Sequence, residues 1–169
     1  MRRLFRSATS SWLVGTSCFL GACSSQVKPG GDSVANAGAS GHAVGCRPSE
    51  ADVYVPGLKK PGAAGRFDFT LLSSTPAPPA LGDNRFLVQV SNRQGEPREG
   101  ELTVALDMPE HGHPSPEQPQ ITFDFDSQAF SLEPMRLFMV GYWRITFDFA
   151  TVIIGESFTD SAVFEFCID

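Results

Sequence analysis

The residues best suited to chemistry lie in one short run, Pro109-Glu110-His111-Gly112-His113-Pro114, directly after the alternating apolar positions Leu102, Val104, Leu106 and Met108. Two imidazoles flank a glycine, so the backbone between them can bend and aim both rings at one point. Met108, just before the run, and Met139, in Phe138-Met139-Val140-Gly141, offer thioether sulfurs. Imidazole with thioether favours copper, Cu(I) in particular, whereas zinc more often recruits thiolate or carboxylate. Met135 is a weaker candidate, with Pro134 expected to place it in a turn, and Trp143 would support the site from the core. The same residues also admit a plainer role. Met108 continues the apolar phase of its strand, and methionine fills gaps in cores. A proline-flanked His-Gly-His shapes a solvated turn in which the glycine supplies a positive φ. In that version the loop and its acidic neighbours form a protein-contact edge.

Other groups point away from catalysis. Gly31-Asp32-Ser33 resembles the nucleophile block of some esterases, but its surroundings are too flexible to hold an elbow, an oxyanion hole and a partner histidine. His42 is read as a lone solvated imidazole. Asp124 and Asp126, separated by Phe125, are expected to share a strand face as exposed charges rather than as a Ca²⁺ site or acid pair. The chain has no G-x-S-x-G, P-loop, His-Glu-x-x-His or Cys-x-x-Cys. A non-enzymatic protein is expected.

The elements that must position these groups follow from composition and period. A chain of 169 residues, 41% hydrophobic with 14 Phe and only 19% charged, supports one domain with a core and excludes global disorder, collagen and coiled coil. Its net charge is −6, and −9 without Arg2, Arg3 and Arg6 of the first 22 residues, so nucleic acid is excluded as a partner. Residues 67–71, 86–90, 102–108, 121–125, 143–149 and 162–168 alternate apolar and polar side chains, the signature of half-buried strands. Proline and glycine punctuate the gaps and no helical period is sustained. About seven short strands with one apolar face each are satisfied by an all-β, immunoglobulin-like antiparallel sandwich, a small closed barrel being the alternative.

Ahead of this domain, residues 1–22 carry a basic start and an apolar stretch at 12–22. Eleven residues fall short of the roughly 20 that cross a bilayer, so the segment reads as a signal peptide. Its end, Leu20-Gly21-Ala22-Cys23, resembles the lipobox of bacterial lipoproteins at all four positions. The resemblance implies cleavage before Cys23, a diacylglyceryl group on its thiol and acylation of the new amine, an anchor worth about 0.8 kcal/mol per buried methylene. Ser24, in place of the aspartate that retains lipoproteins at the inner membrane, implies the outer membrane. An ordinary secreted chain is the alternative. Residues 23–45 form a flexible tether: from Ser24 to Gly45, 13 of 22 are Gly, Ser or Ala. Its reach is roughly 25 Å.

With Cys18 in the signal and Cys23 lipidated, the domain at 46–169 keeps Cys46 and Cys167. An oxidising compartment favours a disulfide between them; free thiols or a two-cysteine metal site are the alternatives, the latter lacking close His or Cys spacing. Cys167 shares the phase of Val163 and Glu165, so its sulfur is expected on the outer face of the last strand.

Met108-Pro109-Glu110-His111-Gly112-His113 after one strand, Phe138-Met139-Val140-Gly141-Tyr142-Trp143 opening another, and Gly82-Asp83-Asn84 before Phe86 together resemble the YtkA-like domain, related to the FixH group, over residues 65–166. The resemblance implies a small extracytoplasmic β-sandwich, often membrane-tethered, in a family with several members found alongside copper handling or respiratory oxidase assembly. Glu110 stands where copper-associated members often carry Met or His. Lipidation is directly testable: the mature protein extracted in detergent is expected to have the intact mass of an acylated chain beginning at Cys23, and Cys23→Ser is expected to release it from the membrane. A mature chain beginning elsewhere overturns the assignment.

Overall fold

The computed structural model describes Cys46 and residues 49–169. The expected signal peptide, lipidated Cys23, the tether, Ser33 and His42 lie outside the described residues. Among the described residues there is no helix, and nine strands occur: β1 (Leu58–Pro61), β2 (Phe67–Thr75), β3 (Gly82–Asn92), β4 (Glu101–Met108), β5 (His113–Pro114), β6 (Gln120–Asp124), β7 (Ala129–Leu137), β8 (Gly141–Ile153) and β9 (Glu156–Ile168). They form two antiparallel sheets, ordered β1-β2-β3-β7-β6 and β5-β4-β8-β9. The set β2-β3-β7-β6 facing β4-β8-β9 has the strand order of a seven-stranded immunoglobulin constant-type domain. β1 and the two-residue β5 extend one edge of each sheet. The architecture is therefore the expected sandwich, and two separate sheets exclude the closed barrel.

Alternation along each strand delivers one apolar face to the space between the sheets. Phe67, Phe69 and Leu71 of β2 and Phe86, Val88 and Val90 of β3 meet Trp143, Ile145, Phe147 and Phe149 of β8 and Phe164 and Phe166 of β9 in one buried cluster. Burying each large side chain contributes about 1.5–3 kcal/mol. Aromatic rings interlock edge-to-face across the layers, with Phe67 on Phe149 at 5.1 Å, Phe130 on Phe149 at 6.1 Å and Phe86 on Phe166 at 6.4 Å between centroids.

Three expectations are corrected. Pro134 does not put Met135 in a turn, because Glu133 and Pro134 lie inside β7. They shift the inward phase from Phe130 and Leu132 to Met135 and Leu137, and β3 accommodates the step by an irregularity between Asn84 and Phe86. Met135 is fully buried and belongs to the core. Phe125 does not continue the apolar face of β6, which ends at Asp124; its ring is 73% exposed. Asp124 and Asp126 do not share a strand face either. The Asp124 carboxylate accepts the Asp126 backbone N–H at 2.9 Å and the Ser127 hydroxyl at 2.8 Å, closing the β6–β7 turn from the side chain. The Ser127 hydroxyl and then the Asp126 amide hold its pKa below the usual carboxylate value.

A buried carboxylate fixes the β1–β2 turn. Asp160, near the start of β9 and only 6% exposed, accepts backbone N–H groups of Ala64 at 2.7 Å, Arg66 at 2.8 Å and Phe67 at 3.0 Å, and that of Ser161 at 2.9 Å. The Ala63 N–H also donates to the Ser161 carbonyl, and the Arg66 guanidinium to that of Thr159. Gly62 is required here, since any Cβ would collide with the Asp160 carboxylate. Burial alone would raise the Asp160 pKa, but the amides of Phe67, Ala64, Arg66 and Ser161 outweigh it and the net shift is downward. A lowered folded pKa means a contribution to stability present above the unfolded value of about 3.9 and lost as pH falls through the folded one. Asp160→Asn is expected to lower stability near pH 7 by about 2 kcal/mol, the scale of hydrogen bonds to a charged acceptor, and to remove part of the acid loss of stability below about pH 4. Urea unfolding between pH 3 and 7 measures both, and equal midpoints for the two proteins would refute the role.

Candidate functional site

β4 ends at Met108, and residues 109–112 turn the chain into β5, whose His113 and Pro114 pair with Met108 and Asp107. The turn closes on one carbonyl: the N–H groups of His111 at 2.9 Å and Gly112 at 3.1 Å both donate to Met108. Gly112 has φ +68°, the left-handed conformation that a hairpin of this length requires and that glycine adopts without strain. The glycine between the histidines therefore shapes the turn. His111 is exposed on it, and the backbone of His113 opens the short strand β5.

Antiparallel pairing of β4 with β8, ending at Asp107 opposite Arg144, brings this turn to the end of the sandwich where β8 begins at Gly141. The linker between β7 and β8, residues 138–140, lies at that end and carries Met139. Trp143 fixes the linker: its indole N–H donates to the Met139 carbonyl at 2.8 Å, its ring is fully buried, and Phe138 packs edge-on against it at 5.4 Å. His111 and Met139 are thus brought to one end of the fold. Met139 packs half-buried against the core, while Met108, 1% exposed, lies within it. Among the described residues, no group of three or more His, Cys, Asp or Glu side chains could hold a metal ion.

Two polar features of this end were not legible beforehand. Asn84 is 3% exposed; its side chain accepts the Ala80 N–H at 2.9 Å and donates to the carbonyls of Ala80 at 2.7 Å, Gly82 at 3.0 Å and Met135 at 3.3 Å. It closes the turn before β3 and ties it to β7. The signal lay in the phase, since Asn84 stands two residues before Phe86 on the inward face. Two acidic residues of this end are also engaged: Arg136 bonds Asp83 and Glu117, each at 2.7 Å. The Arg136 hydrogen bond lowers the pKa of Asp83, although exposed pairs of this kind add little stability.

Cys46 and Cys167 form a disulfide with Cα atoms 5.6 Å apart, as expected from export and cysteine count. Cys167 is half-buried on the outward phase of β9, between buried Phe166 and Ile168. The entering chain then follows the same strand. Asp52 donates its N–H to the Glu165 carbonyl at 2.6 Å and accepts the Glu165 N–H on its carboxylate at 2.7 Å, while Lys60 pairs with that carboxylate at 2.6 Å. Tyr142, opposite Cys167, has its phenol pushed up to about 12, first by burial and then by Glu165.

No family model, curated protein or solved structure matches this chain. Non-reducing peptide mapping is expected to recover the Cys46–Cys167 pair. Reducing it is expected to destabilise the domain by up to about 5 kcal/mol, the loop-entropy limit for a sequence separation of 121. Two free thiols in the natively purified protein would contradict the pairing.

Proposed function

We propose that the protein is a lipid-anchored extracytoplasmic β-sandwich, held at the outer membrane through Cys23, that acts as a non-enzymatic binding or assembly module. The observation carrying this reading is the covalent staple from Cys46, where the tether of residues 23–45 joins the domain, to Cys167 on the last strand. Such a staple suits a rigid domain joined at one point to its membrane anchor. The fixed loops agree with it: Asp160, Asn84 and Trp143 each use a side chain to hold a turn in one shape, the preorganisation that a contact surface needs. Its partners on this reading are the membrane, through the lipid, and a protein. A net charge of −9 beyond residue 22 opposes nucleic acid. The motifs resembling YtkA-like domains favour the same class.

A second reading, a copper-binding factor, is favoured by exposed His111 standing at the same end of the sandwich as Met139. The donor set fits copper only in part. Met108 is held in the core, so the ligands on this reading are His111 and His113, with Met139 contributing if its sulfur turns outward. Without Met108 the set is less selective for Cu(I) than the two-histidine, two-methionine set expected from sequence.

Titrating the mature chain with Cu(I) and Cu(II) against competing chelators, beside His111→Ala/His113→Ala, separates the two readings. Wild type and variant are expected to bind copper equally weakly and to differ in stability by no more than about 0.5 kcal/mol, as is usual for surface-loop substitutions. Wild-type binding at least tenfold tighter than the variant's would replace the first reading with the second.

A further inference from the structure

The end of the sandwich opposite the His-Gly-His turn is built differently. β8 and β9 pair as far as Ile153 opposite Glu156, whereas β4 follows β8 only to Glu101 opposite Ala150. The β8–β9 hairpin therefore projects beyond its sheet, and its tip consists of Val152, Ile153 and Ile154, which are 67%, 37% and 100% exposed. Phe125 stands beside it in the β6–β7 turn, edge-on to Phe123 at 5.1 Å. Between them runs an open groove of about 570 Å³, lined by Phe123, Phe125, Val152 and Phe158 together with Glu99 and Glu101. The links β3–β4 and β8–β9 meet at this end, where variable-type sandwich domains carry their binding loops.

Two observations give this surface a purpose. The tip turn is Ile154-Gly155, with φ of 51° and 81°, a two-residue turn that Asn-Gly makes without strain. A β-branched residue in the left-handed region is sterically opposed, and its side chain gains nothing from water. Strain of this kind gathers at functional surfaces. The second observation is charge. Glu99, Glu101, Asp126 and Glu156 enter no ion pair among the described residues, whereas the arginines of this end are engaged, Arg66 on the Thr159 carbonyl, Arg93 on Asp68 and Arg98 on Glu96. The apolar tip and its groove therefore have carboxylates beside them that no cation of this end compensates. This charge repels a second copy of the chain and an anionic lipid surface, and it attracts Lys and Arg.

We propose that this end, the β8–β9 tip with the groove beside Phe125, docks a segment of a partner protein that presents a branched or aromatic side chain flanked by Lys or Arg. The inference rests on the reading of the protein as a binding module and names where and what it binds. The test places the photo-crosslinking residue p-benzoylphenylalanine at Ile154, or separately at His111, in the full chain in the cells that make it, and sequences the crosslinked peptides. An adduct from position 154 is expected to map to a protein segment with apolar residues flanked by Lys or Arg. Glu99→Gln/Glu101→Gln, which removes charge at constant size, is expected to lower its yield at least threefold and to leave any adduct from position 111 unchanged. An adduct to a second copy, to lipid or to a segment without Lys or Arg overturns the proposal, as does a yield indifferent to the glutamine variant. An adduct from position 111 alone overturns it and leaves the binding module standing. No adduct from either position overturns both.

Discussion

The pairing of β8 with β9 is the constraint on which most of this domain depends. Thirteen consecutive residues on each strand, from Gly141 opposite Ile168 to Ile153 opposite Glu156, are locked in one register by a two-residue turn. Side chains alternate faces at every step, so a slip of one residue along β9 would invert its whole pattern, moving Phe164 and Phe166 to water and Cys167 into the core. The register sets Trp143 under the linker that carries Met139, Asp160 under the β1–β2 turn and Cys167 within reach of Cys46. The apolar tip is the far end of the same ladder.

Buried polar groups divide the work between the two ends. At one end Asn84 and the indole of Trp143 fix the segments around the His-Gly-His turn; at the other Asp160 fixes the β1–β2 turn beside the projecting hairpin. Each satisfies backbone groups that would otherwise lose hydrogen bonds on leaving water, and a satisfied buried group of this kind favours one loop shape over many. The two ends thus share rigidity but not chemistry. One presents an imidazole and a paired cluster of Arg136, Asp83 and Glu117, the other apolar side chains among carboxylates outside any ion pair.

The alternation of apolar residues made the strands that carry the core legible, because each has one dry face. It did not reveal β7, where Glu133 and Pro134 insert a phase change inside an otherwise regular strand, nor β1 and β5, which are too short to show a period. Phe125 misled because it continues the phase of Phe123, while the turn chemistry of Asp124 had already ended the strand. Met108 illustrates the limit at the site: a ligand type in apolar phase is indistinguishable from a core residue in sequence, and packing made it the latter. The buried roles of Asp160 and Asn84 do not show in the apolar period, although both stand in inward phase, two residues before Ala162 and Phe86. A polar residue in that phase has no water, so it must have backbone partners, and those partners are in loops.

The staple at Cys46 also sets how the domain bears a mechanical load. A pull arriving from the N-terminal side enters the fold at Cys46 and passes through sulfur into β9 close to that strand's end, without first peeling away β1. If the opposite end is held at the hairpin tip, the force runs lengthwise along β9. Both points of load then lie on one strand, whose extended covalent backbone carries the tension without loading its hydrogen bonds. The fold therefore has one strand of its longest ladder set as a tension rod between its point of attachment and its far tip.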